Sequence, residues 1–277
     1  MAESVRRKVP ASARRADRLA GALLGAGGSF APFALVSAIV WLFFQAQLFG
    51  GGGDWNRVLG WLRGSVALGA GALALAAPLS VAGALLSRGH RLERAHLRVV
   101  ASIPLAVPAF LLLHLLAPWA SQELGVPAQH PNWAVLALAI GMVAPLWSIL
   151  SDALERNDEL ASAAFALGAT PTQVMRTLVV PASLPGLGAA LLRGWSRAMG
   201  ETMAVLLVSG NYESAWGGAA GAATVGAALV LDLPEAGAGS GLWVDLMRGG
   251  FLLSVLTVLG YALSDRIERS IRSGRAA

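Results

Sequence analysis

Cysteine is absent from the chain, and lysine occurs once, at Lys8. The first absence removes disulfide frameworks, thiolate metal sites and cysteine nucleophiles. The second removes the Gly-x-x-x-x-Gly-Lys-Ser/Thr phosphate loop, so ATP, if it drives this chain, must be hydrolysed on another polypeptide. Charge is scarce too. Asp, Glu, Lys and Arg make up 13% of the 277 residues, against about a quarter in a soluble domain. A soluble surface cannot be built from so few charges, whereas 56% hydrophobic residues fit a polytopic membrane protein. The four histidines (His90, His96, His114, His130) are scattered. A lone His inside an apolar run, such as His114, reads as a packed or interfacial side chain. No His, Asp and Glu cluster has metal-ligand spacing, and no Ser, His and acid share a face, so the chain does not read as an enzyme.

The net charge of +5 is distributed against a nucleic-acid role. Basic residues gather in the N-terminal tail (Arg6, Arg7, Lys8, Arg14, Arg15, Arg18), in residues 88–98, and at the C-terminus (Arg266, Arg269, Arg272, Arg275). Each cluster flanks an apolar run and none is interleaved with aromatics, which is the pattern of loops kept on the cytoplasmic side. The tail is too charged, and too long before its first apolar run, for a secretory signal.

A crossing helix needs about 20 apolar residues. Phe30 to Phe49 fits, then a short turn at Gly50 to Asp54, then Gly64 to Leu86 with Pro78 inside it. Leu97 to Trp119 is the third span. Its Pro104, Pro108 and Pro118 imply a bent or broken helix, either beside a cavity or merely fitted to the bundle. Residues 120–131 read as an outer loop and Asn132 to Leu150 as the fourth span. By alternation 151–185 lies inside, Gly186 to Val208 is the fifth span, 210–240 is outside, and Gly249 to Leu263, extended through Leu242, is the sixth. The apolar run Ala219 to Leu233 reads as an interfacial or re-entrant helix, because a seventh crossing would place the Arg-rich C-terminus outside. The expected fold is all-α with six transmembrane helices, both termini cytoplasmic. A basic tail, 1–29, precedes one transmembrane domain, 30–277.

The inner loop is unusually ordered for a linker. Leu160, Ala163, Ala164 and Leu167 make a helical stripe, with Asp158 and Glu159 in the first turn, favourable to the helix dipole. Gly168 is a C-terminal stop. Thr170 is a candidate cap and Pro171 a first-turn residue for a second helix closing near Val-Pro-Ala-Ser-Leu-Pro, residues 180–185. A lipid-resting helix would carry Lys or Arg on its polar face, and only Arg176 does so here.

The stretch Ala161 to Gly186, ASAAFALGATPTQVMRTLVVPASLPG, resembles the EAA loop of ATP-binding-cassette importer permeases (MetI-like transmembrane domains). The match rests on Ala163, Ala164, Gly168, Leu184 and Pro185. The family's glutamate falls on Ser162, and Glu159 stands one turn earlier. The resemblance implies that an ATPase subunit docks on this elbow, through Glu159, Ser162, Ala163, Ala164, Leu167, Gly168, Ala169 and Thr170.

In the fifth span Arg193, Arg197 and Glu201 are spaced by four, which puts all three on one helix face. A central Arg costs roughly 2.5–3.5 kcal/mol to insert, so it should be paired or face water. Two readings remain: a structural Arg197–Glu201 ion pair, or a charged patch in a translocation path, where a guanidinium suits an oxyanion. The run Arg197 to Val205, RAMGETMAV, with Gly210-Asn211, is similar to the signature of the phosphate-specific, PstC-like permeases. The turn between the first two spans is shorter than in that family, and Ile103-Pro104-Leu105 stands where Ile-Pro-Ser is usual. The resemblance implies a pore subunit of an ATP-driven phosphate importer in the bacterial inner membrane, with Arg193, Arg197, Glu201 and Thr202 along the path. The implied partners are a second permease subunit, two ATPase subunits holding ATP and Mg, an extracytoplasmic phosphate-binding protein, and lipid. No cofactor is expected on this chain itself. Molybdate, tungstate or sulfate are alternative cargoes, and an ion-coupled secondary transporter is the alternative class.

Overall fold

The computed structural model describes residues 38–40, 43–44, 46, 52–87, 103–211 and 223–273. The expected tail 1–29, most of the span Phe30 to Phe49, the basic stretch 88–98 and residues 212–222 lie outside them. All the regular structure described is helical.

Helix α1, Trp55–Leu86, begins well ahead of the expected Gly64. Its start is fixed by Asp54, whose carboxylate accepts the Asn56 N–H at 2.9 Å, a standard N-cap. The added turns carry Asn56, Arg57 and Arg63, which the apolar run alone could not claim. Helix α2, Ala106–Leu111, runs through a π-turn, Leu112–Leu116, into α3, Ala117–Glu123. The break expected from three prolines is therefore a single widened turn. Helix α4, Pro131–Glu155, follows the fourth expected span, capped by the His130 ring nitrogen on the Asn132 N–H.

The elbow comes next: α5, Asp158–Ala166, and α6, Pro171–Val174. The second helical piece does not close at Pro181 or Pro185, as the sequence led us to expect. A π-turn, Met175–Val179, joins α6 to α7, Val180–Met199, so one helical run spans Pro171–Met199. The reason is the same in both π-turns. The residue just before each proline, Ala117 before Pro118 and Val180 before Pro181, donates its N–H five residues back, to Leu112 and Met175. That wider turn makes room for a ring that would otherwise collide with the carbonyl four residues earlier.

The run ends at Gly200. A short helix α8, Met203–Val208, then α9, Val225–Asp232, and α10, Gly241–Ser273, complete the chain. With 8 residues, α9 rises only about 12 Å, too short to cross a hydrocarbon layer of about 30 Å. It lies against α1 and α10, the Val225 N–H bonded to Ser65 Oγ at 3.1 Å. Among the described residues four helices are long and apolar enough to cross a bilayer: Trp55–Leu86, Pro131–Glu155, Pro171–Met199 and Gly241–Ile271.

The loops expected on each side gather at opposite ends of the bundle. At one end the His130 N–H meets the Val208 carbonyl at 3.0 Å and the Asp54 N–H meets Asp245 at 2.8 Å. At the other end Trp147 donates to Ser87 Oγ at 2.9 Å, beside the elbow. Between them Leu68, Ala72, Ala76, Ala137, Leu138, Met142 and Leu146 form the buried centre. Small residues set the helix spacing, as they do where lipid offers no hydrophobic drive. A Cβ on Gly83 would stand 2.5 Å from the Trp147 ring, and one on Gly194 2.7 Å from Leu146.

Trp147 is held by Ser87 and cannot step aside, so Gly83→Ala should destabilise the purified protein by about 1–3 kcal/mol. Gly188 has open space around it, and Gly188→Ala should leave stability unchanged or slightly raised. Thermal unfolding in detergent measures both.

Candidate functional site

The elbow is built from local rules. The Gly168 N–H bonds the Phe165 carbonyl and the Ala169 N–H the Ala164 carbonyl, at 2.9 and 3.1 Å. This is a Schellman closure, with Gly168 at φ +84°. Thr170 and Gln173 then form a reciprocal capping box. The helix α5 is held down by Ala161, its only buried residue. Of the stripe, Ala164 packs against the same core as Ala161, whereas Leu167 is 89% exposed, and Leu160, with Phe165 beside it, is nearly half exposed. Glu159, Ser162, Ala163, Gly168 and Thr170 are exposed, while Ala164 and Ala169 are half-buried. Ser162 folds its hydroxyl back onto the Asp158 carbonyl at 2.8 Å. The elbow thus offers an apolar outer surface on a fixed frame.

The charged residues are arranged differently from the expected single face. Helix α7 ends at Met199, where the Gly200 and Glu201 N–H groups tighten onto the Arg197 and Ala198 carbonyls, both at 3.2 Å. Glu201 therefore leaves the helix, and its carboxylate turns forward to accept the Ala204 N–H at 3.3 Å. The structural Arg197–Glu201 ion pair, one of the two readings of the spacing, does not form; Glu201 serves α8 instead. The Thr202 hydroxyl lies against Gly226, where a Cβ would overlap it. Arg193 and Arg197 do share a face. Arg193 is paired with Asp265 at 2.6 Å and Glu268 at 3.3 Å on α10. Arg197 is exposed and makes no ion pair or hydrogen bond among the described residues. Both line a cleft of about 120 Å³ with Met142, Pro145, Leu146, Ile149 and Tyr261. Chemically this is one ion-paired guanidinium and one with its donors available, over apolar walls.

The most deeply buried charges had escaped notice in the sequence. Asp245 is fully buried and Arg248 is 1% exposed. Asp245 accepts the Asp54 N–H and pairs with Arg57 at 3.0 Å. Arg248 donates to the Gly52 and Ala46 carbonyls at 2.7 and 3.2 Å and stacks over Trp55 at 4.7 Å. An Asp and an Arg three apart at the edge of an apolar span were a signal. They also pair with each other at 3.8 Å, and three of their partners are backbone groups, which no motif displays. His114 is exposed and stacks on the exposed Phe110 of its own helix at 4.1 Å, with Nδ1 3.0 Å from the Phe110 carbonyl. Among the described residues no three His, Asp or Glu are grouped to hold a metal.

Residues 76–273 match the family model described as binding-protein-dependent transport system inner membrane component. A probable ABC transporter permease protein, YqgH, of Bacillus subtilis is 32% identical over 162 residues, 56% of this chain and 52% of the relative. The phosphate transport system permease protein PstC of Haemophilus influenzae is 33% identical over 134 residues, 47% and 42% of the two chains. The match thus takes in about half the length of these relatives. Among solved structures, the inward-facing MetNI methionine ABC transporter aligns with TM-score 0.51 and 22% identity over 84% of this chain and 98% of that one. A second crystal form gives 0.50 and 24% over 78% and 94%. These likenesses bear on the fold.

The contrast between the two charge clusters can be measured. Asp245→Ala would leave Arg248 buried beside one fewer acid and should cost about 3–5 kcal/mol. Arg193→Ala removes partly exposed pairs and should cost less than about 1 kcal/mol. Denaturation by sodium dodecyl sulfate in mixed micelles compares them.

Proposed function

The chain belongs to the family of binding-protein-dependent transport system inner membrane components, and from that premise we propose that it is one of two pore-forming subunits of an ATP-driven importer of inorganic phosphate. In this reading two ATPase subunits, holding ATP and Mg, dock on 158–181 from the cytoplasm. A phosphate-binding protein delivers the anion from outside, and a homologous permease completes the pore. The membrane is the bacterial inner membrane. The chain crosses it six times with both termini inside, the domain running over 30–277 behind a basic tail. The spans not seen among the four long helices are Phe30 to Phe49 and the π-turned α2–α3.

One observation carries the reading. The second arm of the elbow, α6, continues as one helical run, Pro171–Met199, into the helix face that presents Arg197 to a cleft. Movement at the one end is thereby delivered to a guanidinium at the other. The PstC relatives support phosphate as the cargo, and the cognate binding protein's affinities for phosphate, molybdate, tungstate and sulfate decide among anions. An ion-coupled carrier would have no use for an exposed apolar elbow.

The test is ATP-dependent phosphate uptake into proteoliposomes holding the whole complex. Charge-assisted hydrogen bonds are worth about 1.5–3 kcal/mol, so Arg197→Ala should lower uptake about 10- to 100-fold, and Arg197→Lys less. Glu201→Gln retains an acceptor for the Ala204 N–H and should be milder than Glu201→Ala. Full uptake by Arg197→Ala would remove that residue from the path. On the elbow, Leu167→Asp should abolish co-purification of the ATPase while the permease remains folded, and normal co-purification would refute the docking role.

A further inference from the structure

Asn157 breaks a local rule. It occupies the position just before α5, where an Asn side chain ordinarily accepts a helix N–H. Here it makes no such cap. The side chain turns inward, 3% exposed, and donates through Nδ2 to Ser183 Oγ at 2.7 Å and to the Ala153 carbonyl at 3.3 Å. Ser183, 2% exposed, passes its own hydroxyl hydrogen to the Val179 carbonyl at 2.7 Å. One short chain of buried hydrogen bonds therefore joins the end of α4, the start of the elbow, the close of the second π-turn and the body of α7.

Its position matters because of what it spans. Force entering α5 can reach α7 along the backbone only by way of Gly168, α6 and Met175–Val179. A π-turn is the least regular part of that route and a common site of bending. The apolar contacts beneath, Ala161 and Val174 against Leu150 and Leu154, are non-directional and allow sliding. The Asn157–Ser183 bond is directional, and it connects the elbow's first residue to α7 beyond the π-turn. An expected cap has been given up for this link, and such departures from local preference concentrate at functional positions.

We propose that Asn157 and Ser183 are positioning residues forming a brace across the π-turn, so that the elbow and the Arg193–Arg197 helix move as one body. The proposal rests on the importer reading above. In the reconstituted complex, Ser183→Ala and Asn157→Ala should lower phosphate moved per ATP hydrolysed about tenfold, with hydrolysis itself within about twofold of the parent. Ser183→Thr, which retains the hydroxyl, should restore the ratio, and the double alanine variant should be no worse than the single ones. A parallel fall in uptake and hydrolysis, or an unchanged ratio, would overturn the brace.

A second readout does not depend on cargo. Because the chain has no cysteine, spin labels can be placed by Cys substitution at Ala166 on the elbow and at Leu184 on α7, each against Leu79 on α1. Nucleotide added to the parent complex should change both distances, and in the Ser183→Ala background only the first. Coupled changes in that background would refute the brace whatever the complex carries. The expected decoupling, found in a complex that moves no phosphate, would leave the brace standing and remove the cargo assignment.

Discussion

Four interruptions among the described residues answer to one constraint: a backbone N–H or carbonyl in apolar surroundings must find a partner close at hand. Prolines 118 and 181 remove donors from helices, and in each case the preceding N–H reaches five residues back to close a π-turn. At Gly200 the helix stops, and the freed groups are taken up by tight three-residue bonds and by the Glu201 carboxylate. At the turn before α1, the Gly52 and Ala46 carbonyls are taken up by Arg248. At each of these interruptions a substitute partner is present. Those places fall at the elbow junction, beside the cleft and at the opposite end of α10.

The same constraint sorts the charges. Asp245 and Arg248 are buried and saturated with partners, three of them backbone groups, so they fix a turn and have nothing left to offer a ligand. Arg193 sits at the edge between α7 and α10 with two acids, one of them half exposed. Arg197, one turn on, has neither burial nor an acid. A sequence shows these as similar basic residues within apolar runs. Their three situations follow from which helix ends nearby and which loop folds over.

The elbow was largely legible before the fold was known, because its parts follow local rules: acids in a first turn, Gly168 as a stop, Thr170 as a cap, Pro171 at the first helical position. The fourth span was legible for the same reason, an apolar run bounded by polar residues. The failures were of two kinds. Pro181 and Pro185 read as stops: nothing in composition reveals the widened turn that accepts the Pro181 ring, and Pro185 is carried inside α7 itself. Glu201 was placed on the α7 face because spacing by four holds only while the helix lasts. Gly200, which ends it, stands in a run that is otherwise apolar and helical. The Asp54–Asp245 contact joins positions 191 apart through a backbone N–H, and so left no pattern to find.

That α7 ends just past Arg197 bears directly on how a lone guanidinium could be tolerated there. The end of a helix carries roughly half a negative charge, which favours a cation in the last turn by about 0.3–1 kcal/mol, and up to about 2 in partly buried settings. A full carboxylate at about 4 Å would hold it by about 4 kcal/mol at an intermediate dielectric. The first is enough to offset part of the cost of placing Arg197 near apolar walls, and too little to occupy its donors. A tetrahedral anion gaining about 1.5–3 kcal/mol from charge-assisted bonds could bind and leave without first breaking an ion pair. Had α7 continued to Glu201, as spacing alone implied, the donors would have been spoken for. In the proposed importer the interruption after Met199 is therefore part of the chemistry: it keeps the charge while leaving its hydrogen-bonding face open.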